Sequence, residues 1–238
     1  MKFVINGYGR MGRMIEEIAK SKGMELLAAI DMDNVSDLET LEKADVLFDF
    51  SHPSSTSAVC AYAKRTGTAI ISGTTGMTEE TLALLQDAAS AAPVLYSANY
   101  STGVAVFRRL LQYITPSLLP DFDVEVVETH HNKKADAPSG TAKMLVDAID
   151  PENKLKRVTG RDGFCGARTK DEIGVFALRG GTVAGEHTVS FFGEDEVLTI
   201  KHSAASRRIF AAGAVNAGQH LAQMAPGYYS LDEVLFSK

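Results

Sequence analysis

Cysteine is scarce: Cys60 and Cys165 are the only two among 238 residues, with no CxxC pair and no histidines at zinc spacing. A disulfide framework is therefore not expected, and reduced cytoplasmic thiols are the simpler reading. Cys60 falls in the helical stretch 56–64 and reads as a packed thiol. Basic excess is also lacking, since the formal net charge is −6. That argues against non-specific nucleic-acid binding, which needs surplus Lys and Arg, and leaves room only for a local basic site suited to a small anion. Long apolar runs are missing too. The run in MKFVIN is about four residues, too short for a signal-peptide core, and no window approaches the ~20 residues needed to cross a bilayer. No membrane partner and a cytoplasmic location are expected. What is present, 45% apolar and 23% charged residues, is ordinary globular composition, enough for one large or two modest cores.

The first hundred residues alternate short apolar runs with amphipathic stretches. Strands are expected at 3–6, 26–30, 46–50, 69–72 and 94–97, and helices at 10–22, 54–65 and 78–90. Met11, Met14, Ile15 and Ile18 give the first helix its apolar face. Strand–helix–strand units with such short connections require parallel pairing and right-handed crossovers, and continuous apolar strands are those of a sheet covered on both faces. The reading is an α/β chain opening on a doubly wound parallel sheet. After residue 100 the pattern changes. A helix at 102–115 is expected to stop at Thr115-Pro116, followed by a strand at 122–128 and a helix at 139–149. From 173 to 203 come strand-rich runs, IGVFALRGG, GEHTVSFFG and EVLTIKHSA, divided by glycine-containing turns. These predict a second, α+β domain on an antiparallel or mixed sheet. Residues 206–224 return to alanine-rich helix, expected to pack back on the first domain. The expected partition is 1–100 plus 208–238, and 101–207. Arg207 and Arg208 open that helix, where positive charge opposes the dipole, so a partner for them is required that the sequence does not name.

Gly7-Tyr8-Gly9-Arg10-Met11-Gly12 is G-x-G-x-x-G, directly after a predicted strand and opening a predicted helix. The three glycines allow the tight turn, close backbone approach to a pyrophosphate, and helix–strand packing. Helix amides and dipole then favour the phosphates. Asp31 ends the second strand, placed to accept from adenine-ribose hydroxyls. The plain structural alternative is a glycine turn without ligand and an aspartate capping the next turn. Asp31-Met32-Asp33 carries no positive charge and would repel a 2′-phosphate, so among NADH and NADPH the former is favoured, with Arg10 and Arg13 as the residues that could reverse this. Gly73-Thr74-Thr75-Gly76 follows a strand and faces the cofactor crevice. Thr78 caps the next helix, leaving Thr74 and Thr75 free for the nicotinamide.

The densest chemical text is Glu128-Thr129-His130-His131-Asn132-Lys133-Lys134-Ala135-Asp136-Ala137-Pro138-Ser139-Gly140-Thr141-Ala142. Adjacent histidines at a strand end point to opposite sides and should do different work. Two lysines follow, and then Pro-Ser-Gly-Thr opens a helix at its positive end. This suits a proton donor beside a grip for carboxylates. The bland alternative is a polar surface loop with a helix cap. A zinc site lacks cysteines and a third ligand, so no metal is expected. His187 and Glu186 read as turn and sheet packing.

This run, with the GRMG glycine loop, GTTG, SANYSTGV and GEHTVSF in order, resembles the 4-hydroxy-tetrahydrodipicolinate reductase family over nearly the whole chain. The chain is somewhat short for that family, with the shortening expected between the second and third strands, at 33–43. The resemblance implies a Rossmann-type domain completed by the C-terminal helix, a central substrate domain and a homotetramer built through the central sheets, with Arg179 near subunit contacts. It implies NAD(P)H as cofactor and a small dianionic substrate. By position, His130 would be the acid/base residue and Lys134 the proton donor or carboxylate partner. His131, Ser139, Gly140 and Thr141 would bind carboxylates, and Gly73, Thr75, Ala98, Asn99 and Tyr100 would line the nicotinamide. The family often has Phe at the position of Tyr100 and Arg-His at Asn132-Lys133. Two other readings are weighed against it. A different two-domain nicotinamide oxidoreductase would fit the fold, although the acylating semialdehyde class needs a cysteine nucleophile not seen here. A non-catalytic NAD(H) sensor would need no His-His-x-x-Lys cluster.

Overall fold

The structure, a computed structural model, describes residues 1–236. The chain divides into two compact units, Met1–Thr102 with Arg208–Lys238, and Gly103–Arg207.

The first unit is built on strands β1 (Lys2–Asn6), β2 (Glu25–Ile30), β3 (Val46–Asp49), β4 (Ala69–Ser72), β5 (Pro93–Tyr96) and β11 (Gly227–Tyr229). All pair in parallel, in the order β11-β5-β4-β3-β1-β2. Val46, Leu47, Phe48, Ile70 and Ile71 have no exposed surface, as a sheet covered on both faces demands. Helices α1 (Arg10–Ser21), α2 (Thr56–Thr66), α3 (Glu79–Ala88), α6 (Arg208–Leu221) and α7 (Leu231–Phe236) complete it. The order reverses between β1 and β3, so the carboxyl ends of those two strands open a crevice, the usual ligand position in such sheets. Small residues let α6 approach closely: a side chain at Gly213 would run into the Tyr100 carbonyl, and one at Gly218 would lie 2.7 Å from the Phe48 ring. Arg208, at the start of α6, finds its partner in Glu17 of α1 at 3.0 Å.

The second unit has a mixed five-stranded sheet. Its strands are β6 (Asp123–His130), β7 (Lys156–Val158), β8 (Glu172–Arg179), β9 (Gly185–Phe192) and β10 (Val197–Ala204), in the order β10-β9-β6-β8-β7. β6 alternates half-buried and buried residues along its length. Its inner face, with Val124 and Val126, shares a core with Phe107 and Leu111 of α4 (Thr102–Leu118) and with Leu145, Val146 and Ile149 of α5 (Gly140–Ile149).

One expected boundary was wrong. α4 does not stop at Thr115-Pro116 but carries Pro116 in its last turn, with the Leu119 amide donating to the Thr115 carbonyl at 2.9 Å. Near a helix end the bond that proline removes is one of few left to lose, and Pro120 is the better stop signal. The short strands β7 and β11 and helix α7 were not read from sequence at all.

Candidate active site

The glycine loop shows three different reasons for glycine. Gly7 has φ +95°, and a side chain there would strike the backbone of Phe50; one at Gly12 would strike the Gly7 carbonyl. At Gly9 an added Cβ would meet no protein atom within 4 Å. Packing gives no reason for glycine there, whereas close approach of a ligand to the backbone does. α1 begins with no side-chain cap and no acidic residue in its first turn, so the amides before the first helical bond, from Arg13 to Gly9, face an open end suited to an anion. Arg10 is exposed, Met11 half-buried.

Beside the loop is a cleft of about 450 Å³, lined by Asn6, Gly7, Gly9, Asp31, His52 and Ser54 among others, with no Lys or Arg in its wall. Asp31 caps the turn that follows it and also borders the cleft. Its Oδ1 accepts from the Met32 amide at 3.0 Å. Arg13 is stacked on the Tyr8 ring, 5.3 Å from its centre. His52 and its neighbours were missed; they follow the carboxyl end of β3, a position the strand order marks as ligand-facing.

Beneath the crevice is a buried carboxylate that sequence reasoning also missed. Asp49 accepts from the Asn6 amide (2.8 Å), the Ser51 hydroxyl (2.5 Å), the Ser72 hydroxyl (3.0 Å) and the Thr74 hydroxyl (3.0 Å). It thereby ties together the ends of β1, β3 and β4. Thr74, expected to be free, is 2% exposed and committed to this network, while Thr75 is exposed. Gly73 sits against the Phe50 ring. In the loop after β5, Ala98 is exposed and the Asn99 side chain accepts from the Ser101 amide at 2.8 Å. Tyr100 is buried, and its hydroxyl donates to the Ser72 carbonyl at 2.6 Å, so its ring braces the crevice from below. Cys60 is buried, and burial pushes its thiol up to about 12, which makes it inert at neutral pH.

In the second unit, β6 ends on His130, and the loop after it is pinned to the end of β8 by the Gly180 amide donating to the His130 carbonyl (2.9 Å) and the Asn132 amide to the Gly181 carbonyl (3.2 Å). His130 and Ser139, far apart along the loop, meet at one residue, Glu128. Its carboxylate accepts from His130 Nδ1 at 2.5 Å and from the Ser139 amide at 3.0 Å. Ser139 caps α5, accepting from the Ala142 amide at 3.1 Å. A Cβ on Gly140, the first helical residue, would meet nothing within 4 Å, leaving space at the amino end. Thr141 and His131 are half-buried. Lys134 is held by Asp136, 2.7 Å away, and this ammonium draws the Asp136 carboxyl below its ordinary range.

Two more residues complete the cluster. Arg179 grips both oxygens of Glu128, each at 2.8 Å. His187, read as sheet packing, lies edge-on to His130 with ring centres 5.2 Å apart, and its Nε2 is 3.1 Å from the Ser139 hydroxyl. Burial, and then the neighbouring His130, lower the His187 pKa from 6.5 to about 4. The fold thus keeps it neutral at pH values where the unfolded chain takes up a proton, so its contribution is complete above pH 6.5 and is lost as the pH falls towards 4. We expect wild-type unfolding free energy to drop across that window by up to roughly 3 kcal/mol more than in His187→Gln. Urea titrations at several pH values measure this, and parallel curves for the two proteins would refute a buried neutral His187.

Comparison with known proteins gives the family. A family profile described as dihydrodipicolinate reductase, N-terminus, matches residues 1–100, and its C-terminal counterpart matches residues 103–235. The chain belongs to the dihydrodipicolinate reductase family. The member from Sulfurovum sp. (strain NBC37-1), a 4-hydroxy-tetrahydrodipicolinate reductase, is 41% identical over 98% of this chain and 97% of its own. The enzyme of the same name from Brachyspira hyodysenteriae is 39% identical over 237 residues, 99% of this chain and all of its own. A 4-hydroxy-tetrahydrodipicolinate reductase of about this length therefore exists. A solved dipicolinate-bound dihydrodipicolinate reductase from Paenisporosarcina sp. TG-14 shares the fold, with a TM-score of 0.78 and 21% identity over 99% of each chain. Among the described residues no helix is long and apolar enough to cross a membrane.

Proposed function

We propose that this chain reduces 4-hydroxy-tetrahydrodipicolinate to tetrahydrodipicolinate, with loss of water, in the diaminopimelate route to lysine, and that NADH is its preferred reductant. Membership of the dihydrodipicolinate reductase family makes it an NAD(P)H-dependent oxidoreductase. The observation that carries the residue assignment is the tie of His130 and the amino end of α5 to one buried carboxylate. A proton-carrying ring and an anion-binding helix end are thereby held in fixed register.

Bound NAD(P)H supplies the hydride. Its addition to a conjugated C=C–C=N system moves charge towards the ring nitrogen, where cationic and proton-donating groups lower the barrier. His130 is the acid: its Nε2 holds and delivers the proton. Ser139, Gly140 and Thr141 at the helix end, with His131, take the substrate carboxylates. Lys134, released from Asp136, supplies positive charge or the proton. On the first unit, Gly7, Gly9, Arg10, Met11 and Gly12 receive the pyrophosphate, Asp31 the adenine ribose, and the loops at 73–75 and 98–100 the nicotinamide. The absence of Lys and Arg from the cleft wall, with Asp31 in it, favours an unphosphorylated ribose.

Freshly made condensation product of pyruvate and aspartate semialdehyde, supplied with reduced cofactor, tests the reading through loss of nicotinamide absorbance. We expect kcat/KM to be at least about tenfold higher with NADH than with NADPH, a difference of roughly 1.4 kcal/mol. A preference for NADPH refutes the cofactor assignment. Turnover only with other carbonyl compounds, or cofactor binding without turnover, refutes the reaction. We also place the chain in the cytoplasm as a homotetramer. The sheet face turned away from α4 and α5 exposes Leu178 at one end and the paired Phe192 and Val197 at the other, apolar side chains that a second copy would cover.

A further inference from the structure

Residues two apart on a strand share a face, so Glu128 and His130 both point to the inner side of β6. On the neighbouring strand, Arg179 stands opposite His130 and reaches back to Glu128. The Glu128 side chain has no exposed surface, yet each of its oxygens has two donors. Oε1 accepts from the Ser139 amide (3.0 Å) and Arg179 Nη2 (2.8 Å). Oε2 accepts from His130 Nδ1 (2.5 Å) and Arg179 Nη1 (2.8 Å). Four donors saturate a carboxylate, and the paired guanidinium offsets what burial of the charge costs. Burial alone would raise the Glu128 carboxyl, but Arg179, His130 and the Ser139 amide together bring it below its ordinary range.

An ionised carboxylate only accepts, so the imidazole nitrogen facing it must carry hydrogen. His130 is then the Nδ1–H tautomer when neutral, and Nε2 is the nitrogen that gains and loses the working proton. The space at Nε2 depends on Gly185, where a Cβ would lie 3.1 Å from that nitrogen. Arg179 also donates to the Asp136 carbonyl at 2.7 Å, extending the same network to the residue that holds Lys134.

We infer that Glu128, with Arg179 as its counter-charge, is the positioning residue of this site: it fixes the tautomer and ring direction of His130 and, through the Ser139 amide, sets the distance from that ring to the amino end of α5. The catalytic importance of the arrangement rests on the reading of His130 as the acid, but the tautomer does not.

The test begins on unmutated protein, labelled with 15N in its six histidine rings and studied as microcrystals by solid-state NMR at a pH where His130 is neutral. The His130 signals are identified by their loss in His130→Gln. They should show a protonated Nδ1 and a bare Nε2; the opposite pattern overturns the inference without any variant of Glu128 having to fold. In Glu128→Gln the new amide can donate to Nδ1, so the ring should switch to Nε2–H. kcat should fall roughly 10²–10⁴-fold, the scale seen when an acid–base histidine loses the carboxylate that sets its tautomer, while KM for NADH stays within threefold. Turnover within threefold of wild type, or a lost kcat with an unchanged tautomer, overturns the inference. A correct tautomer in wild type together with an active His130→Gln enzyme would sink the acid assignment alone.

Discussion

His130→Gln is expected to lower kcat by roughly 10²–10⁴-fold with a much smaller change in KM. Glutamine has a similar reach and can still hydrogen-bond to Glu128, so the inner face of β6 and the cap of α5 should survive. What it cannot do is carry a proton at the position of Nε2. The neighbouring imidazole offers no substitute. His187 lies 5.2 Å away, ring centre to ring centre, but with its pKa lowered to about 4 it is neutral at pH 7 and has no spare proton to deliver. Two histidines in contact are thus separated into different jobs by their surroundings: one faces a carboxylate, and the other is buried against a hydroxyl. Steady-state kinetics with both substrates varied gives the result, and a kcat within threefold of wild type removes His130 from the chemistry.

Asp49→Ala should be the most damaging change in the first unit. Ser72 would keep a buried donor whose acceptor has gone, Thr74 would be left with only its 3.4 Å bond to the residue-49 carbonyl, and Asn6 would lose one of three acceptors. Stranded polar groups of this kind cost on the order of 1–3 kcal/mol apiece before relaxation. We expect a net loss of about 3–5 kcal/mol, read from the midpoint of urea unfolding. Cofactor affinity should fall as well, by at least roughly tenfold, because Asn6 and Ser51 line the cleft and Thr74 carries the loop after β4. Fluorescence titration with NADH under conditions where the variant is still folded separates the two effects. A loss of stability with unchanged affinity would show that the network supports the sheet and not the ligand loops.

Elements of the first unit were legible because their signals are local. Apolar runs of four to six residues between glycine and proline turns mark β1 to β5, and apolar residues at 3–4 spacing mark α1. Gly7, Gly9 and Gly12 announce themselves by spacing, since a fixed turn geometry needs them at fixed offsets. The same holds for Ser139, a helix cap next to the helix it starts. Thr78 caps its helix in the same local way. Short elements were not legible. β7 and β11 have three residues each, too few for a period to show.

The composition and order of this chain determined a doubly wound sheet, a second mixed-sheet unit, a phosphate-binding turn and a His-Lys loop running into a helix start. Only the folded molecule decided which of those groups touch. Glu128 and Arg179 lie 51 positions apart, Ser139 and His187 lie 48 apart, and Asp49 and Thr74 lie 25 apart. Each pairing depends on which strands become neighbours and in which register. A shift of one residue in that register would turn Glu128, His130, Arg179 and His187 to the opposite face. Local physics sets the elements; the register between distant strands sets the site.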